Sequence, residues 1–280
     1  MMRLRSLAFI FFMSMLVFLP VTYAQEKKAD DAKGEEAVPP AATHYLGREI
    51  AQTMHYAGAP WLTRESRDRE EDSRTMLKML GIKEGQVVCD LGAGNGFYTL
   101  PIAKAVGEKG KVFAVEIQPE MLRFLKKRAA AQKVENIEYI LGTLIDPKLP
   151  EGSQDMILLV DVYHEFSHPP QMLAKMRKAL KPDGRLVLLE FRAEDDNVPI
   201  KRLHKMSKKQ VDLEMAANGF KLVDSYDKLP WQHMLFYGKD DKDKKAGDEK
   251  DHEKNNEKNN EKNHEKNDEK KSGEAGKSKE

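Results

Sequence analysis

The chain contains 280 residues, of which 47 are basic and 46 are acidic, so its formal net charge at pH 7 is +1. This balance gives no broad basic surface for nucleic acid, and a 33% charged fraction disfavours a polytopic membrane protein. The single cysteine, Cys89, excludes an internal disulfide framework and a metal site built from several cysteines.

Met1–Ala24 has the pattern of a secretory signal peptide. Arg3 and Arg5 precede an almost unbroken apolar run, and small residues stand before a cleavage site after Ala24. The apolar run is shorter than the about 20 residues that a membrane-spanning helix needs. We therefore predict export through the secretory pathway, to the periplasm or the medium, with no stable membrane span after cleavage. An uncleaved N-terminal membrane anchor is the alternative.

Two further segments have a composition that disfavours a packed core. Residues 25–42 are rich in Ala, Glu, Lys, Asp and Pro, which is typical of a flexible linker. Residues 239–280 are charged, with no large apolar side chain, and Glu253–Lys270 within them repeats Glu-Lys-Asn, which predicts a disordered, charged tail. His252 and His264 in this tail make at most a poor metal site.

Residues 43–80 precede the first long strand pattern and are predicted to form an N-terminal helical cap. Two helices are expected, around Tyr45–Tyr56 and Glu65–Leu80. With no strand partner, they are expected to cover the sheet or the mouth of a ligand site. Tyr56 and Trp61 either line an acceptor pocket or pack between these helices.

Residues 81–238 alternate strand and helix patterns. This alternation predicts an α/β fold, a Rossmann-like, doubly wound and mostly parallel sheet of seven strands. The predicted strands are Gln86–Leu91, Lys111–Glu116, Ile137–Leu141, Met156–Val160, Arg185–Phe191, Lys221–Tyr226 and His233–Tyr237.

The most informative stretch is the turn after the first of these strands, with the spacing Asp90-x-Gly92-x-Gly94-x-Gly96. Glycines at a strand-to-helix turn let the backbone approach a ligand, and the helix N-terminus offers free amides. The dinucleotide pattern is absent because its third glycine would fall at Phe97, which disfavours a nicotinamide oxidoreductase. Asp90 suits a ligand that carries an ammonium group, and Glu116 ends the next strand, where an acceptor can bind both hydroxyls of a ribose.

These motifs resemble those of the class I S-adenosylmethionine-dependent methyltransferases over roughly Glu84 to Gly238. The glycine loop is similar to the family's cofactor loop, and Glu116 to its ribose-binding acid. Asp155–Phe166 and Leu180–Phe191 resemble its fourth-strand and fifth-strand motifs. Many members place an aspartate after the third strand to bind the adenine amine, whereas this chain has Thr143 there. The chain looks most like a branch of the family in which signal peptides are common.

The resemblance implies S-adenosyl-L-methionine as the cofactor. The cofactor-binding residues that it implies are Asp90, Gly92, Ala93, Gly94, Gly96, Glu116, Ile117, Thr143 and Asp161. At the carboxyl edge of the sheet, Tyr163, His164 and Glu165 are the candidate catalytic residues, and His164 is either a general base or an orienting or packing residue. His204 and His233 are candidates for the same mouth. Aromatic faces of Phe97, Tyr98 or Tyr163 are candidates to stabilise the sulfonium charge.

The implied function is methyl transfer by in-line displacement to a small-molecule or side-chain acceptor that the sequence does not identify. An exported, non-catalytic binding module on the same fold is the alternative. A metal-assisted, catechol-type transferase would use Asp161 with Asp195–Asn197, but the second group follows its strand several residues too late. We therefore predict no metal site, and the sequence does not specify an oligomeric state.

Overall fold

The computed structural model describes residues 38–240 of the chain. The predicted signal peptide lies outside the described residues, as do most of the predicted linker and nearly all of the predicted tail. Export and disorder therefore stay predictions. Within residues 38–240, no helix is both long enough and apolar enough to cross a membrane.

The N-terminal part of the described chain begins with a short hairpin, followed by short helices. The hairpin pairs β1 (His44–Tyr45) with β2 (Arg48–Glu49). A 3-10 helix (Tyr56–Thr63), α1 (Arg67–Glu71) and α2 (Ser73–Leu80) follow it.

The predicted helix around Tyr45–Tyr56 is therefore wrong, and the predicted helix over Glu65–Leu80 is divided. Leu46 and Gly47 both have positive φ, 45° and 90°, which produces a two-residue hairpin turn in place of a helical turn. Asp72 has φ 47°; it ends α1, and its carboxylate accepts the Thr75 amide to begin α2.

Residues 87–239 form the central sheet with its covering helices. The strands are β3 (Val87–Leu91), β4 (Lys111–Glu116), β5 (Ile137–Leu141), β6 (Gln154–Val160), β7 (Leu180–Arg192), β8 (Lys205–Met206), β9 (Phe220–Tyr226) and β10 (Gln232–Lys239). The helices are α3 (Thr99–Val106), α4 (Pro119–Ala131), α5 (Pro169–Ala179) and α6 (Lys208–Ala217), with 3-10 turns at Tyr163–Glu165 and Arg202–His204.

The strand order in the sheet is β5-β4-β3-β6-β7-β10-β9, and the two-residue β8 pairs with β7. The pairs from β5 to β7 are parallel, whereas β10 is antiparallel to both of its neighbours. The predicted α/β sheet is confirmed, with a short eighth strand added to the predicted seven. The chain leaves β3 toward β4 on one side and returns to β6 on the other, which opens a crevice at the carboxyl ends of these strands.

The core lies on both faces of this sheet. On β3, Val88 contributes to one apolar cluster, and Cys89 and Leu91 contribute to the other. Strands buried on both faces should be apolar throughout, as β6 is over Met156–Leu159. Cys89 is a buried free thiol that packs in this core.

Candidate cofactor and acceptor site

A cavity of about 560 Å³ opens at the carboxyl ends of β3, β4 and β6. Its wall includes most of the residues predicted from the sequence: Asp90, Gly92, Ala93, Gly94, Glu116, Ile117, Thr143, Asp161, His164 and Glu165. His204 also lines it, as predicted. Gly96 and Tyr163 do not line the cavity. Gly96 packs against Leu125 of α4, and Tyr163 is buried in the core.

The glycine loop needs its glycines for different reasons. Gly92 and Gly94 line the cavity with positive φ, 76° and 53°. A Cβ on Gly92 would lie 2.4 Å from a methyl carbon of Val162, and one on Gly94 would lie 2.7 Å from Cδ1 of Leu62. A side chain at either position would therefore require a strained backbone and displaced neighbours.

Gly96 permits close packing of α4 against the loop. Its φ is 83°, and a Cβ there would lie 2.0 Å from Cδ1 of Leu125, a fully buried residue of α4. The resemblance assigned Gly96 to cofactor contact, but the structure places it behind the loop, where it supports the loop from the core side.

Asp90 is a buried residue near the end of β3 and lines the cavity. Its carboxylate accepts a hydrogen bond of 2.5 Å from the Thr99 hydroxyl at the start of α3. Burial raises the pKa of Asp90 to about 6, although Thr99 and the charge of Arg67 act in the opposite direction. A ligand cation beside Asp90 would therefore favour the ionised carboxylate.

Glu116 links the end of β4 to the glycine loop. One carboxylate oxygen accepts the amides of Ile117 and Gln118 at 2.7 and 3.0 Å, and the other accepts the Gly94 amide at 3.1 Å. Burial raises the pKa of Glu116, and these three amides oppose the increase. The contacts hold the carboxylate in place at the cavity wall, where it retains acceptor capacity for a ribose hydroxyl.

Asp161 follows β6 in a left-handed backbone conformation, with φ 52°. Its Oδ2 accepts a hydrogen bond of 2.7 Å from Gln232, whereas its Oδ1 is buried without a hydrogen-bond partner among residues 38–240. Burial raises its pKa well above the ordinary value, and the charges of Glu71 and Glu190 add to the increase. A buried carboxylate oxygen of this kind, on the wall of a cavity, fits a cationic or hydrogen-donating ligand group.

Arg67 and Glu71 of α1 bring a buried ion pair to the same wall, which the sequence reasoning missed. Arg67 Nε lies 2.8 Å from a Glu71 oxygen, and the Tyr98 hydroxyl donates to that oxygen at 2.9 Å. The Arg67 guanidinium lies 4.2 Å from the Phe97 ring centroid and 4.9 Å from that of Tyr98. The aromatic faces that were candidates for the sulfonium therefore contact an arginine of the chain itself. No local pattern signals this, because α1 precedes the loop by two elements.

Thr143 lines the cavity, but its hydroxyl is engaged in its own turn. It accepts the Asp146 amide at 3.0 Å and the Ile145 amide at 3.3 Å. An adenine amine that donates to the Thr143 hydroxyl oxygen would have to compete with these two amides.

A titratable cluster lines the cavity beyond the end of β6. His164 Nδ1 lies 2.6 Å from a Glu190 oxygen, and its Nε2 lies 3.1 Å from Nδ1 of His204. Glu165 Oε1 is 3.9 Å from both histidines and accepts the Met54 amide at 3.3 Å. Burial lowers the pKa of His164, but the charge and hydrogen bond of Glu190 together with the charge of Glu165 outweigh it, so the net pKa is raised; burial raises the pKa of Glu165 to about 7.

Glu190 was not singled out from the sequence, although a signal was present. It is the one carboxylate in the otherwise apolar run Leu186–Phe191 of β7 and is fully buried. Buried carboxylates are rarely found without a partner, so a charge at this position indicates a specific contact.

Two of the predicted residues face the core. The Tyr163 ring is fully buried, and its hydroxyl donates to Glu214 at 2.6 Å. His233 is buried on β10, and its ring nitrogens have no hydrogen-bond partner among the described residues. Neither residue lines the cavity, so neither is placed to contact a ligand there.

The N-terminal segment closes one side of the cavity. Trp61 lines it while 48% exposed, with the Arg64 guanidinium 3.7 Å from its ring centroid. The Gln118 side chain accepts a hydrogen bond from the Tyr56 amide at 2.7 Å and donates one to the Met54 carbonyl at 2.9 Å. These two bonds attach the N-terminal segment to the chain just after β4. Tyr56 lies outside the cavity wall.

The aspartates proposed for a catechol-type metal site do not converge. Asp161 lines the cavity, whereas Asp195 is on a loop and accepts hydrogen bonds from Asn197 two residues later. The structure therefore gives no support to that arrangement.

Comparisons with known proteins concern the family and the fold of this chain. A family model described as a methyltransferase domain matches residues 82–264. A tRNA (adenine(58)-N(1))-methyltransferase of Thermus thermophilus is 36% identical over 118 residues, 42% of this chain and 44% of the relative. The ubiquinone/menaquinone biosynthesis C-methyltransferase UbiE of Salmonella arizonae is 31% identical over 119 residues, 42% of this chain and 47% of the relative. Each match spans less than half of the relative's length.

Solved structures show the same architecture. A SAM-dependent methyltransferase from Aquifex aeolicus superimposes with a TM-score of 0.63 at 26% identity, covering 66% of this chain and 98% of that one. The PH0226 protein of Pyrococcus horikoshii shares the fold, with a TM-score of 0.52 at 17% identity over 64% of this chain and 93% of its own.

The family model covers well over half of the chain, and the residues of the cavity fit the ligand. The buried carboxylates of Asp90 and Asp161 suit an ammonium group, and Glu116 suits a ribose. The resemblance drawn from the motifs is therefore confirmed: the chain belongs to the S-adenosyl-L-methionine-dependent methyltransferase family.

Proposed function

We propose that this protein transfers the methyl group of S-adenosylmethionine to a small-molecule acceptor. The observation that carries the proposal is the continuity of one cavity. Its wall includes Asp90, Gly94 and Glu116 at the glycine loop, and it also includes His164 and Glu165 beyond β6. The glycine-loop side, the donor end, and the side with His164 and Glu165, the acceptor end, thus line the same cavity.

The donor end is assigned by charge and hydrogen-bonding capacity. Asp90 and Asp161 would hold the ammonium group of the cofactor, and Glu116 its ribose hydroxyls. S-adenosylmethionine supplies a methyl group that is already activated on a sulfonium. The protein therefore has to hold the acceptor in line and exclude water, and such positioning lowers barriers by about 7–11 kcal/mol.

The acceptor end supports a small organic molecule with an ionisable group. The cavity volume of about 560 Å³ is within the range of small-molecule sites. Apolar Trp61 and Ile200 line the cavity together with the polar cluster of His164, Glu165 and His204. One relative acts on tRNA, but the net charge of +1 gives this chain little of the basic footprint that RNA binding needs.

The test is methyl transfer by the full-length chain from methyl-labelled S-adenosylmethionine. Pools of phenols, thiols and amines are offered in separate reactions, with tRNA as a further arm. We expect labelled product in the small-molecule fraction, together with S-adenosylhomocysteine. Asp90→Asn should abolish the product, whereas Asp224→Asn, a change at an exposed aspartate of β9, should not.

Two outcomes would contradict the proposal. Label recovered in tRNA and absent from the small molecules would show that the acceptor is a nucleic acid and not a small molecule. Tight cofactor binding without product from any pool would favour the non-catalytic binding module.

A further inference from the structure

Three potential metal ligands converge at the acceptor end of the cavity. His164 Nε2, His204 Nδ1 and Glu165 Oε1 lie 3.1, 3.9 and 3.9 Å from one another. These separations define a point about 2.1 Å from all three atoms, within the range that Zn²⁺ keeps to imidazole nitrogen and carboxylate oxygen. The three side chains can therefore bind one ion with small adjustments.

The partner of His164 directs one ring nitrogen toward that point. Glu190 is fully buried and lies 2.6 Å from Nδ1 of His164, while its other oxygen accepts the Tyr163 amide at 3.0 Å. A carboxylate only accepts hydrogen bonds, so Nδ1 carries the proton, and in the neutral ring the lone pair of Nε2 faces Nδ1 of His204 at 3.1 Å, a contact that a bound ion would replace. Metal-binding histidines in proteins are commonly oriented by a carboxylate in this way.

The ligands come from two 3-10 turns that the sheet brings together. Tyr163–Glu165 follows β6, and Arg202–His204 precedes β8, which pairs with β7. His164 and Glu165 are adjacent in sequence, whereas His204 is 40 residues away. The spacing therefore does not match a local metal motif, which explains why the sequence predicted no metal.

We propose that His164, Glu165 and His204 bind a divalent transition-metal ion of the Zn²⁺ class at the acceptor end of the cavity. Two imidazoles and one carboxylate form a borderline donor set that favours such an ion over Mg²⁺ or Ca²⁺. Three protein ligands leave a further coordination position, as in catalytic zinc sites. An acceptor hydroxyl or thiol at that position would have a lowered pKa. This role in the reaction depends on the proposed function, whereas ion binding itself does not.

The experiment is a titration of the chelator-treated, full-length chain with Co²⁺, followed by visible absorption, and with Zn²⁺ in competition with a chromogenic chelator. All variants carry His252→Ala and His264→Ala, so that the C-terminal histidines do not contribute. His204→Ala and Glu165→Gln remove one ligand each, Glu190→Gln tests the orienting contact, and His44→Ala on the exposed hairpin is the matched control.

We expect one equivalent of either ion to bind, with the Co²⁺ spectrum of a low-coordinate nitrogen and oxygen site. His204→Ala and Glu165→Gln should each weaken binding at least about tenfold, and Glu190→Gln by about 10–100-fold, while His44→Ala should leave it unchanged. The proposed site would be overturned if less than one equivalent of ion binds, or if His204→Ala and Glu165→Gln bind the ion as tightly as the parent. Full methyl transfer by the metal-free protein would overturn the role of the ion in acceptor activation while leaving the proposed function intact.

Discussion

At the scale of single residues, buried carboxylates line the proposed donor end of the site. Asp90 is almost inaccessible to solvent and faces Thr99, Arg67 and Glu116. The pattern of the glycine loop identified Asp90 and Glu116 from the sequence, because their positions are fixed by the ends of two strands. Arg67, Glu71 and Glu190 were not foreseen, since their place in the site depends on tertiary packing between distant segments.

The titration of Asp90 predicts a pH dependence of cofactor binding. Its pKa in the free protein is about 6, so it is mostly ionised at neutral pH and takes up a proton as the pH decreases. Because the ammonium group needs the carboxylate, affinity for S-adenosylhomocysteine should be full above that pKa. Below it, the affinity should fall by up to about tenfold per pH unit.

The measurement is calorimetric titration of S-adenosylhomocysteine across this pH range, with Asp90→Asn as the comparison. The remaining affinity of the variant should depend less on pH than that of the parent. Since Asp161 and Glu116 also have raised pKa values, some residual dependence is expected. An affinity of the parent that stays constant through the pKa would refute the assignment of Asp90.

At the scale of elements, the glycine loop is held against α4 by close packing. Gly96→Ala should destabilise the fold through a contact with Leu125, at a cost of about 1–3 kcal/mol for overpacking beyond the backbone strain. Gly85→Ala is the matched control, because Gly85 has nearly the same φ, 84° against 83°, and open space where a Cβ would lie. Gly85→Ala should lower the free energy of unfolding by about 1 kcal/mol, from the backbone strain alone.

Urea unfolding of both variants measures this difference directly. A change in the free energy of unfolding that is equal for Gly96→Ala and Gly85→Ala would contradict the packing argument. Binding of S-adenosylhomocysteine by Gly96→Ala should weaken as well, because the loop carries the cavity wall at Gly94.

Most strands of the sheet could be predicted from the sequence, because burial on both faces gives apolar runs and glycines mark the turns. Lys111–Glu116 and Ile137–Leu141 have the predicted bounds in the structure. The hairpin β1–β2 was missed because its turn uses Leu46 at positive φ, where a glycine or asparagine would have been the usual signal. Its stability comes from contacts with residues far along the chain, which local patterns do not show.

At the scale of the whole molecule, the N-terminal segment is attached to the sheet through a buried ion pair. Arg48 on β2 binds Glu214 on α6 in a bidentate manner, at 2.8 and 3.0 Å, and donates to the His164 carbonyl at 2.9 Å. Tyr163 donates to the same carboxylate. These contacts connect the segment, α6 and the turn that carries the acceptor-end cluster.

Arg48→Ala should therefore reduce the free energy of unfolding by about 3–5 kcal/mol, because it leaves the Glu214 charge buried without its ion-pair partner. Arg123→Ala is the control, since Arg123 pairs with Glu120 on the surface of α4 and its side chain is 70% exposed. That pair should contribute less than about 1 kcal/mol. Chemical denaturation of both variants tests the prediction, and equal changes would refute it.

The central claim is that the cavity beside the glycine loop binds the methyl donor through Asp90. The most direct test is calorimetric titration of S-adenosylmethionine and S-adenosylhomocysteine into the full-length chain, Asp90→Asn and Asp224→Asn. We predict one ligand per chain and unchanged affinity in Asp224→Asn. In Asp90→Asn the affinity should be at least about 30-fold weaker, since a buried charge pair is lost. Absence of binding by the parent, or equal affinity in Asp90→Asn, would contradict the account.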